Sequence, residues 1–545
     1  MPAEDSGTAT RLRGDALAAV EGCLAEMDGM AVPRRLWAGD SSLWPGNASE
    51  TAQRLGWLHL PETMQAPADA LATLSAEVGN GAIRDVVLLG MGGSSLGAEV
   101  LNQVFGPAAG QPRLHVLDST MPGAVRAVAD AIDFAHALFI VSSKSGSTLE
   151  PNLLYEYFSA EAAARNGSSP GEQCIAITDA GTSLERLARK AGFRHVFTNP
   201  SDVGGRYSVL SLFGLVPGAT LGMDLPLLLT RARQMARQCG PDAPARTNPG
   251  AHLGAFLAGC ARLGRDKLTL ITSPALASFG LWAEQLIAES TGKDGKGIVP
   301  VVGEPEFDTV DYRSDRAFVY LRLRDDENDA SDNRVWKCAD AGFPCMTVAA
   351  EDAYSLGAEF FRWQFATATA GALLKVNPFD QPDVQRAKDA STRVLADYLA
   401  CGSLPRMEAQ DTPASLSGRL RPGAYLGIMA YLRQRPEIDD IFTEFRHRLG
   451  SHNRVSTTMG YGPRFLHSTG QLHKGGPNEG VFLQIVSAHP DDLPVPGSRY
   501  SFGVVVDAQA LGDLQALVAL GRPIARVVLE RDEPELLART LEAVS

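Results

Sequence analysis

Hydrophobic residues occur in short runs, separated by helix-length segments, along most of this 545-residue chain. From residue 85 the runs are DVVLLGM, RLHVLD, ALFIVSS, CIAITD and HVFTN. Strands that alternate with helices predict a parallel sheet with right-handed crossovers. Ligands of such sheets bind beyond the carboxyl ends of the strands.

A second alternating block begins near Lys267 with LTLITS. It continues through GIVPVV, AFVYLRL and PCMTVA into a long predicted helix around residues 352–375. A Pro-rich interruption near residues 405–423 precedes a third region, in which GVFLQIVS, FGVVVD and ARVVLE predict strands. The pattern therefore predicts an α/β protein with more than one parallel sheet.

A chain of this length is too long for one hydrophobic core. Residues 1–80 lack the alternation and are predicted to be helical and irregular, with Trp37, Trp44 and Trp57 packing on the main body. The predicted organisation is an N-terminal helical segment (1–80), a first α/β domain (81–245), a second α/β domain (246–404) and a C-terminal α/β region (405–545).

Charge and cysteine content narrow the classes of partner. The net charge of −13 argues against nucleic acid or an anionic membrane as the main partner. The seven cysteines include no C-x-x-C pair, and an odd number suits a reducing compartment. The first residues, MPAEDSGTATRLRGD, contain no apolar core of a signal peptide, and no stretch of about 18 apolar residues occurs in the sequence. We therefore expect a cytoplasmic protein.

Two predicted strand-to-helix turns are rich in glycine and hydroxyl side chains. The first, VVLLGMGGSSLGAEV, contains Gly93 and Ser94, and alone it is equally typical of a tight structural turn. The second, SSKSGSTLEP, has more hydroxyls than a turn requires and contains Ser143, Lys144, Ser145 and Thr148. Hydroxyls, a lysine and backbone N–H groups at a helix N-terminus favour phosphate binding. Neither turn fits a dinucleotide or ATP motif, so a small phosphorylated ligand is predicted.

Two charged residues lie in unusual settings. Arg206 follows two glycines in SDVGGRYSVLSLFG, which indicates close approach of the loop to another group, although a surface ion pair is the simpler alternative. Glu289 continues the apolar stripe of Phe279, Trp282 and Leu286 near a predicted helix end. A buried carboxylate is costly unless it is paired or used, and from spacing alone a solvent-exposed side chain is slightly favoured.

Two further segments carry candidate polar groups. In NPFDQPDVQRAK, Gln381 precedes Lys388 by seven residues, and spacing alone favours a solvated helix lysine. In FLHSTGQLHKGGPNEG, His467 and His473 lie in a Gly- and Ser-rich stretch. Their spacing is poor for metal ligation, so a substrate-contacting loop is the better interpretation.

Taken in order, GMGGSSLG, SSKSGSTLE, DVGGRYS, AESTGK and NPFDQP-x-V-x₃-K resemble the phosphoglucose isomerase family. The opening LWPG…RLGWL and the late FLHSTGQLHKGGPN are most similar to the isomerase half of bacterial transaldolase/phosphoglucose isomerase fusions. The resemblance implies two sugar-isomerase domains with helix-flanked parallel sheets, followed here by a C-terminal α/β extension. It also implies a homodimer and a functional link to a transaldolase.

The resemblance implies interconversion of glucose 6-phosphate and fructose 6-phosphate without a metal or organic cofactor. The implied roles are phosphate binding by Ser143, Ser145 and Thr148 with Lys144 nearby, pocket lining by Gly93 and Ser94, and contacts to sugar hydroxyls by Glu150 and Gln381. Glu289 matches the family's catalytic base, Arg206 the arginine that stabilises the enediolate, and Lys388 the ring-opening lysine.

The ring-opening histidine departs from the family pattern. The family places it between the base and the FDQ motif, where this chain has no histidine. The nearest likeness is HSTG…GGPN after the FDQ motif, which is similar to the HTDG…PN segment around the histidine in bacterial relatives. The resemblance therefore implies His467, with His473 as the alternative, and the loop could come from a neighbouring subunit as it does in the family. A non-catalytic sugar-phosphate sensor and a dual phosphoglucose/phosphomannose isomerase are the other functions that the sequence leaves open.

Overall fold

The computed structural model describes residues 8–167 and 170–542 of the chain. The strands are β1 (Thr8–Arg11), β2 (Asp85–Leu89), β3 (Arg113–Leu117), β4 (Ala137–Ser142), β5 (Cys174–Asp179), β6 (His195–Asn199), β7 (Lys267–Thr272), β8 (Val299–Val302), β9 (Arg316–Leu323), β10 (Cys345–Ala350), β11 (Tyr425–Tyr431), β12 (Ser456–Tyr461), β13 (Gly480–Ser487) and β14 (Ile524–Leu529).

The helices are α1 (Gly14–Gly29), α2 (Val32–Trp37), α3 (Ala48–Ala52), α4 (Leu60–Thr63), α5 (Gln65–Val78), α6 (Leu96–Phe105), α7 (Pro122–Ala131), α8 (Leu149–Asn166), α9 (Ser183–Ala191), α10 (Leu212–Thr220), α11 (Leu225–Gln238), α12 (Pro249–Arg262), α13 (Phe279–Thr291), α14 (Asp329–Asp340), α15 (Leu356–Leu374), α16 (Pro382–Cys401), α17 (Pro413–Leu416), α18 (Pro436–Asn453), α19 (Gly470–Gly475), α20 (Phe502–Ala519) and α21 (Pro534–Glu542).

The first sheet is entirely parallel and has the strand order β3-β2-β4-β5-β6. Every residue of β2 and β4 is buried, as expected when helices cover both faces of a parallel sheet. Each of its five strands coincides with one of the predicted hydrophobic runs. The predicted α/β class with helix-flanked parallel sheets is therefore confirmed.

The second sheet has the order β1-β10-β9-β7-β8, and its four strands from the second alternating block are parallel. The predicted long helix is α15, which is buried along nearly its whole length. Strand β1 joins the edge of this sheet antiparallel to β10. The sequence did not indicate this strand, since a four-residue edge strand leaves almost no periodic pattern.

The N-terminal segment packs on the main body of the protein through its tryptophans. Trp57 lies 5.2 Å from the ring of Tyr207, and Trp44 lies 5.0 Å from the ring of Phe379. The indole N–H of Trp44 also donates to the Ala368 carbonyl at 2.9 Å. These contacts support the backbone on either side of the functional site described below.

A third parallel sheet, β12-β11-β13-β14, forms the C-terminal region. GVFLQIVS and ARVVLE form strands as predicted, but the prediction of a strand at FGVVVD is wrong because this run begins α20. Ser501 caps that helix at the Val504 N–H, and burial on most sides outweighs the strand preference of the valines. Strands β11 and β12 were not predicted.

Helix α20 is also long and apolar enough to cross a membrane, by length and composition. Its packing and its burial within the protein account for this apolar composition. It packs along α16 and against β13 and β14, and 67% of its residues are buried inside the protein. It is therefore a core helix of the C-terminal region.

Candidate active site

The two hydroxyl-rich turns lie side by side at the carboxyl ends of the neighbouring strands β2 and β4. Ser142 Oγ donates to the Ser94 carbonyl at 2.9 Å and joins them. Ser143 Oγ donates to Thr148 Oγ1 at 3.1 Å, and α8 begins one residue later without a side-chain cap at Thr148. Hydroxyls at an uncapped N-terminus of an 18-residue helix form a suitable site for a phosphate.

Ser145 and Lys144 border this turn in different ways. Ser145 is exposed, and its Oγ accepts a hydrogen bond from Ser147 Oγ at 3.1 Å. The Lys144 ammonium pairs with the Asp179 carboxylate and donates to the Ser201 carbonyl at 3.0 Å. Burial raises the pKa of Asp179 although Lys144 acts to lower it. Lys144 therefore adds positive charge at the edge of the turn and is already engaged.

Gly93 brings the first turn against the GGRYS segment. A Cβ atom on Gly93 would lie 2.2 Å from the Gly205 carbonyl oxygen, so any side chain would displace one of the two backbones. Ser208 Oγ donates to the Gly93 carbonyl at 3.2 Å across the same contact. Arg206 follows Gly205 in a short 3-10 turn, so its position is set by the contact with Gly93.

Arg206 binds the NPFDQ loop from within the protein. Its guanidinium is 4% exposed and donates to the carbonyls of Pro378 (2.6 Å) and Asp380 (2.9 Å) and to Gln381 Oε1 (3.0 Å). Its Nε donates to Ser290 Oγ at 2.8 Å. The alternative of a surface ion pair is therefore wrong, and the guanidinium is fixed in position.

Glu289 lies beside this guanidinium. Its Oε1 is 3.2 Å from Arg206 Nη1, and its Oε2 accepts from Gln285 Nε2 at 3.3 Å. Helix α13 is buried on all sides except at Leu281, and Glu289 is 9% exposed. The solvent-exposed interpretation that spacing favoured is wrong, because the last turn of α13 is enclosed by the GGRYS and NPFDQ segments.

A second buried cation holds the NPFDQ loop. Lys293, which ends the AESTGK motif, donates to the Asn377 carbonyl and the Asp380 carbonyl at 2.5 Å each and to Asp380 Oδ1 at 2.8 Å. Burial and the neighbouring Arg206 lower the pKa of Lys293 to about 8, despite Asp380. The sequence marked the motif but not this residue, since burial of a lysine depends on tertiary contacts.

His467 reaches the opposite side of the site, at Glu150. His467 Nε2 lies 2.9 Å from Glu150 Oε1, and Gln509 Nε2 donates to the same oxygen at 2.6 Å. Glu150 is 3% exposed; burial acts to raise its pKa, but the charge and hydrogen bond of His467 lower it to about 2. Glu150 is therefore an anion that orients the imidazole.

The backbone of His467 is held close to Glu289. Gln285 Nε2, which contacts Glu289, also donates to the His467 carbonyl at 2.7 Å. Gly92 has a φ of +58°, and a Cβ there would lie 2.9 Å from that of His467. Gln285 thus joins the Glu289 carboxylate to the backbone of His467. It precedes Glu289 by one helical turn, a spacing that the sequence did contain.

His473 has different surroundings. Its ring lies 4.9 Å from that of Phe482 and 5.9 Å from that of Phe465, and it is 3% exposed. Neither ring nitrogen has a hydrogen-bond partner among the described residues, and burial lowers its pKa well below the usual value. The structure brings His467, and not His473, to Glu150.

Two of the predicted site residues lie at the N-cap and on the second turn of α16. Gln381 is its N-cap and contacts Arg206, as described above. Lys388 is exposed on the second turn, where its charge contributes to the low pKa of Glu150. Gln509, on α20, was not predicted, because its segment was assigned to a strand. Within residues 8–167 and 170–542, no group of three or more His, Cys, Asp or Glu side chains could hold a metal ion.

Comparison with known proteins gives a consistent result. Residues 71–297 match the family model for phosphoglucose isomerase. The glucose-6-phosphate isomerase of Heliobacterium modesticaldum is 31% identical over 386 residues, which are 61% of this chain and 85% of that protein. That of Leptospira biflexa is 27% identical over 385 residues, with 62% and 85% covered.

Two solved structures are similar. A hypothetical protein from Thermus thermophilus has a TM-score of 0.61 at 25% identity, with 71% of this chain and 100% of that one covered. A glucose-6-phosphate isomerase from Chlamydia trachomatis has a TM-score of 0.56 at 18% identity, with 73% and 90% covered, which shows a shared fold. This chain belongs to the phosphoglucose isomerase family.

Proposed function

We propose that this chain is a glucose-6-phosphate isomerase, which interconverts glucose 6-phosphate and fructose 6-phosphate through a cis-enediol in glycolysis and gluconeogenesis. The observation that carries the proposal is the Glu289 carboxylate 3.2 Å from the buried Arg206 guanidinium. A carboxylate beside a fixed cation can remove a proton from carbon while the cation stabilises the oxyanion that forms.

The phosphate binds at the turn between β4 and α8. Ser143, Ser145 and Thr148 supply hydroxyls, and the N-terminus of α8 supplies backbone N–H groups. Gly93 and Ser94 line the pocket from the neighbouring turn, and Lys144 adds charge at its edge. The phosphate does not react, so its binding energy serves to position the first two sugar carbons.

Ring opening takes place at the Glu150–His467 side. One of His467 and Lys388 donates a proton to the ring oxygen while the other accepts the proton of the C1 hydroxyl, the C1–O bond breaks and an aldehyde forms. Glu150 fixes the orientation of the imidazole. Glu150 and Gln381 contact sugar hydroxyls.

Isomerisation takes place at Glu289. Its carboxylate takes the C2 proton, the C–H electron pair becomes the C1–C2 double bond, and the C1 carbonyl becomes an enediolate oxygen beside Arg206. A proton passes from O2 to O1, Glu289 returns its proton to C1, and a carbonyl forms at C2. The reaction involves no net oxidation and needs no cofactor.

The location in the cell, the oligomeric state and the functional partner are proposed from the family resemblance and the composition. We propose a cytoplasmic homodimer with a functional link to a separate transaldolase. The acidic net charge of −13 supports a small-molecule substrate in preference to nucleic acid or membrane.

A coupled assay tests the activity. Purified protein is given fructose 6-phosphate, and glucose 6-phosphate is detected by its dehydrogenase; saturable turnover is expected. Binding of fructose 6-phosphate without turnover would contradict the proposal and favour a sensor. Mannose 6-phosphate as second substrate, with detection of fructose 6-phosphate, distinguishes a single from a dual isomerase.

A further inference from the structure

The third sheet repeats the connections of the first sheet. In the first sheet α6 leads from β2 to β3, and α8 leads from β4 to β5 on the other side. In the third sheet α18 leads from β11 to β12, and α20 leads from β13 to β14 on the other side. The chain therefore leaves two neighbouring strands in opposite directions in both sheets. Ligands of parallel sheets bind beyond the carboxyl ends of such a pair of strands.

A cleft lies at this position in the third sheet. In the first sheet the pair is β2 and β4, whose carboxyl ends carry the two hydroxyl-rich turns. The corresponding pair is β11 and β13, and a cleft of about 610 Å³ lies beyond their carboxyl ends. Arg433 follows β11, Ser487 ends β13 and His489 follows β13, and all three line the cleft. No residue of the candidate active site lines it, so it is a separate site.

The polar groups on the inner side of the cleft are largely unengaged. The Arg433 guanidinium has no ion pair or hydrogen bond with the residues that the structure describes; its backbone N–H donates to Asp532 Oδ2 at 2.7 Å. Ser487 is 3% exposed, and its Oγ has no partner within residues 8–167 and 170–542. His489 Nε2 lies 3.5 Å from Asp507 Oδ1, too far for a hydrogen bond of normal length.

The N-terminus of α7 lies beside Arg433. Pro122 and Gly123, the first two residues of this helix, line the cleft, and no side chain caps the helix at Met121. A Cβ atom on Gly123 would lie 3.4 Å from Arg433 Cδ. The positive end of the helix dipole and the guanidinium therefore act at the same place, and together they favour an anion.

The acidic groups of the cleft do not cancel this charge. Asp532 Oδ1 pairs with Arg435 at 2.8 Å, while its other oxygen accepts the Arg433 N–H. Glu533 is exposed and lies 3.9 Å from the Arg531 guanidinium. The remaining charged side chains of the cleft are exposed at its rim and are those of Arg126, Asp130 and Asp491. The inner part of the cleft is thus positive.

We propose that this cleft is a second binding site, which takes the phosphate group of a small ligand. The Arg433 guanidinium offers parallel N–H donors that match two phosphate oxygens. The N-terminus of α7 adds the Gly123 N–H and its dipole, and the cleft has the size of a small-molecule site. The proposal goes beyond the proposed function and does not depend on turnover at Glu289.

Binding of radiolabelled inorganic phosphate to the whole chain tests the proposal. By equilibrium dialysis the wild type should bind two phosphates per chain, one at the turn before α8 and one in the cleft. Arg433→Met should weaken binding in the cleft by about tenfold or more, so that one phosphate per chain is lost. Arg499→Met, which changes an exposed arginine outside the cleft, is the control. An unchanged number of phosphates in the Arg433 variant would overturn the proposal.

A second variant blocks the cleft without changing the arginine. Gly123→Asp places a carboxylate beside Arg433 and should also remove one phosphate, whereas unchanged binding would overturn the proposal. The circular dichroism spectrum checks that each variant is folded.

A competitor identifies the source of the phosphate group. Fructose 6-phosphate should displace both phosphates if the cleft takes phosphate esters and only the one before α8 if it takes inorganic phosphate; either result supports the site. An inactive wild-type protein would contradict the proposed function but would leave the difference between wild type and Arg433→Met unaffected.

Discussion

The two sides of the candidate site are built differently. The base side consists of Arg206, Glu289 and Gln381, and its arginine donates to carbonyl, amide and hydroxyl groups of two segments. The ring-opening side consists of Glu150, His467 and Gln509, and both contacts converge on one carboxylate oxygen. Arg206 thus connects the base side to several groups of two segments, whereas both contacts of the ring-opening side depend on the Glu150 carboxylate.

The two sides also differ in which segments of the chain supply their residues. Every member of the base side belongs to a short motif that the sequence displays. The ring-opening side combines a motif residue, Glu150, with two residues of the C-terminal region. The proposed ring-opening step thus depends on a region of the chain that supplies none of the three base-side residues. Four predictions test this comparison.

The largest effect is expected at Glu289. Glu289→Gln removes the group that carries the proton between C2 and C1, so kcat should fall by about a thousandfold or more, while sugar-phosphate binding persists. Turnover is measured by the coupled assay and binding by calorimetry. Glu284→Gln, a buried glutamate of the same helix, is the control. Near-normal turnover by the Glu289 variant would show that the base is misassigned.

A smaller and selective effect is expected at His467. His467→Ala should lower turnover of the cyclic substrate about a hundredfold, because it loses the acid–base group for ring opening. An open-chain analogue bypasses that step and should be converted at a nearly normal rate. His452→Ala, which changes an exposed histidine of α18, is the control. Equal losses with both substrates would contradict the ring-opening role.

A still smaller effect is expected at Gln509. Gln509→Leu removes one of the two donors to Glu150 Oε1, which loosens the orientation of His467. We expect kcat for the cyclic substrate to fall about tenfold with little change in KM. The pH profile should shift, and Gln509→Asn should restore part of the loss. The matched control is Gln515→Leu on the same helix. An unchanged pH profile would indicate a purely structural role.

The smallest effect concerns stability. In the wild type the pKa of Glu150, about 2, is below its usual value, so its contribution is complete above the unfolded-state pKa and is lost as the pH falls towards 2. In His467→Ala the histidine is lost but the burial of Glu150 remains, so the pKa of Glu150 should rise above its usual value. Stability should then increase by about 1 kcal/mol as the pH is lowered from about 7 to 5.

Urea unfolding measures this change. The reference is the double variant His467→Ala/Glu150→Gln, in which the titrating carboxyl is absent. The free energy of unfolding of the single variant should approach that of the double variant as the pH falls. A difference that does not depend on pH would show that His467 is not what lowers the pKa of Glu150.

The sequence predicted most strands of the two larger sheets. It also singled out four residues that the structure brings together in two pairs, Arg206 with Glu289 and Glu150 with His467. Short apolar runs such as Val86–Leu89 of β2 indicate strands, because a strand buried on both faces has few polar positions. It could not decide whether Glu289 is buried, since the enclosing segments come from elsewhere in the chain. Gln509 was missed because the run just before it, FGVVVD, has the composition of a strand, whereas in the structure this run begins α20.

The contact between Gly93 and Gly205 sets a fixed length within the site. It joins the turns proposed to bind the phosphate to the loop of Arg206, so backbone contact sets the distance from the proposed phosphate site to Arg206 and its neighbour Glu289. A fixed distance of this kind selects the length of the carbon chain between the phosphate and the reacting carbons. A pentose phosphate, one carbon shorter, would place the wrong carbon at Glu289 and should inhibit competitively without being isomerised.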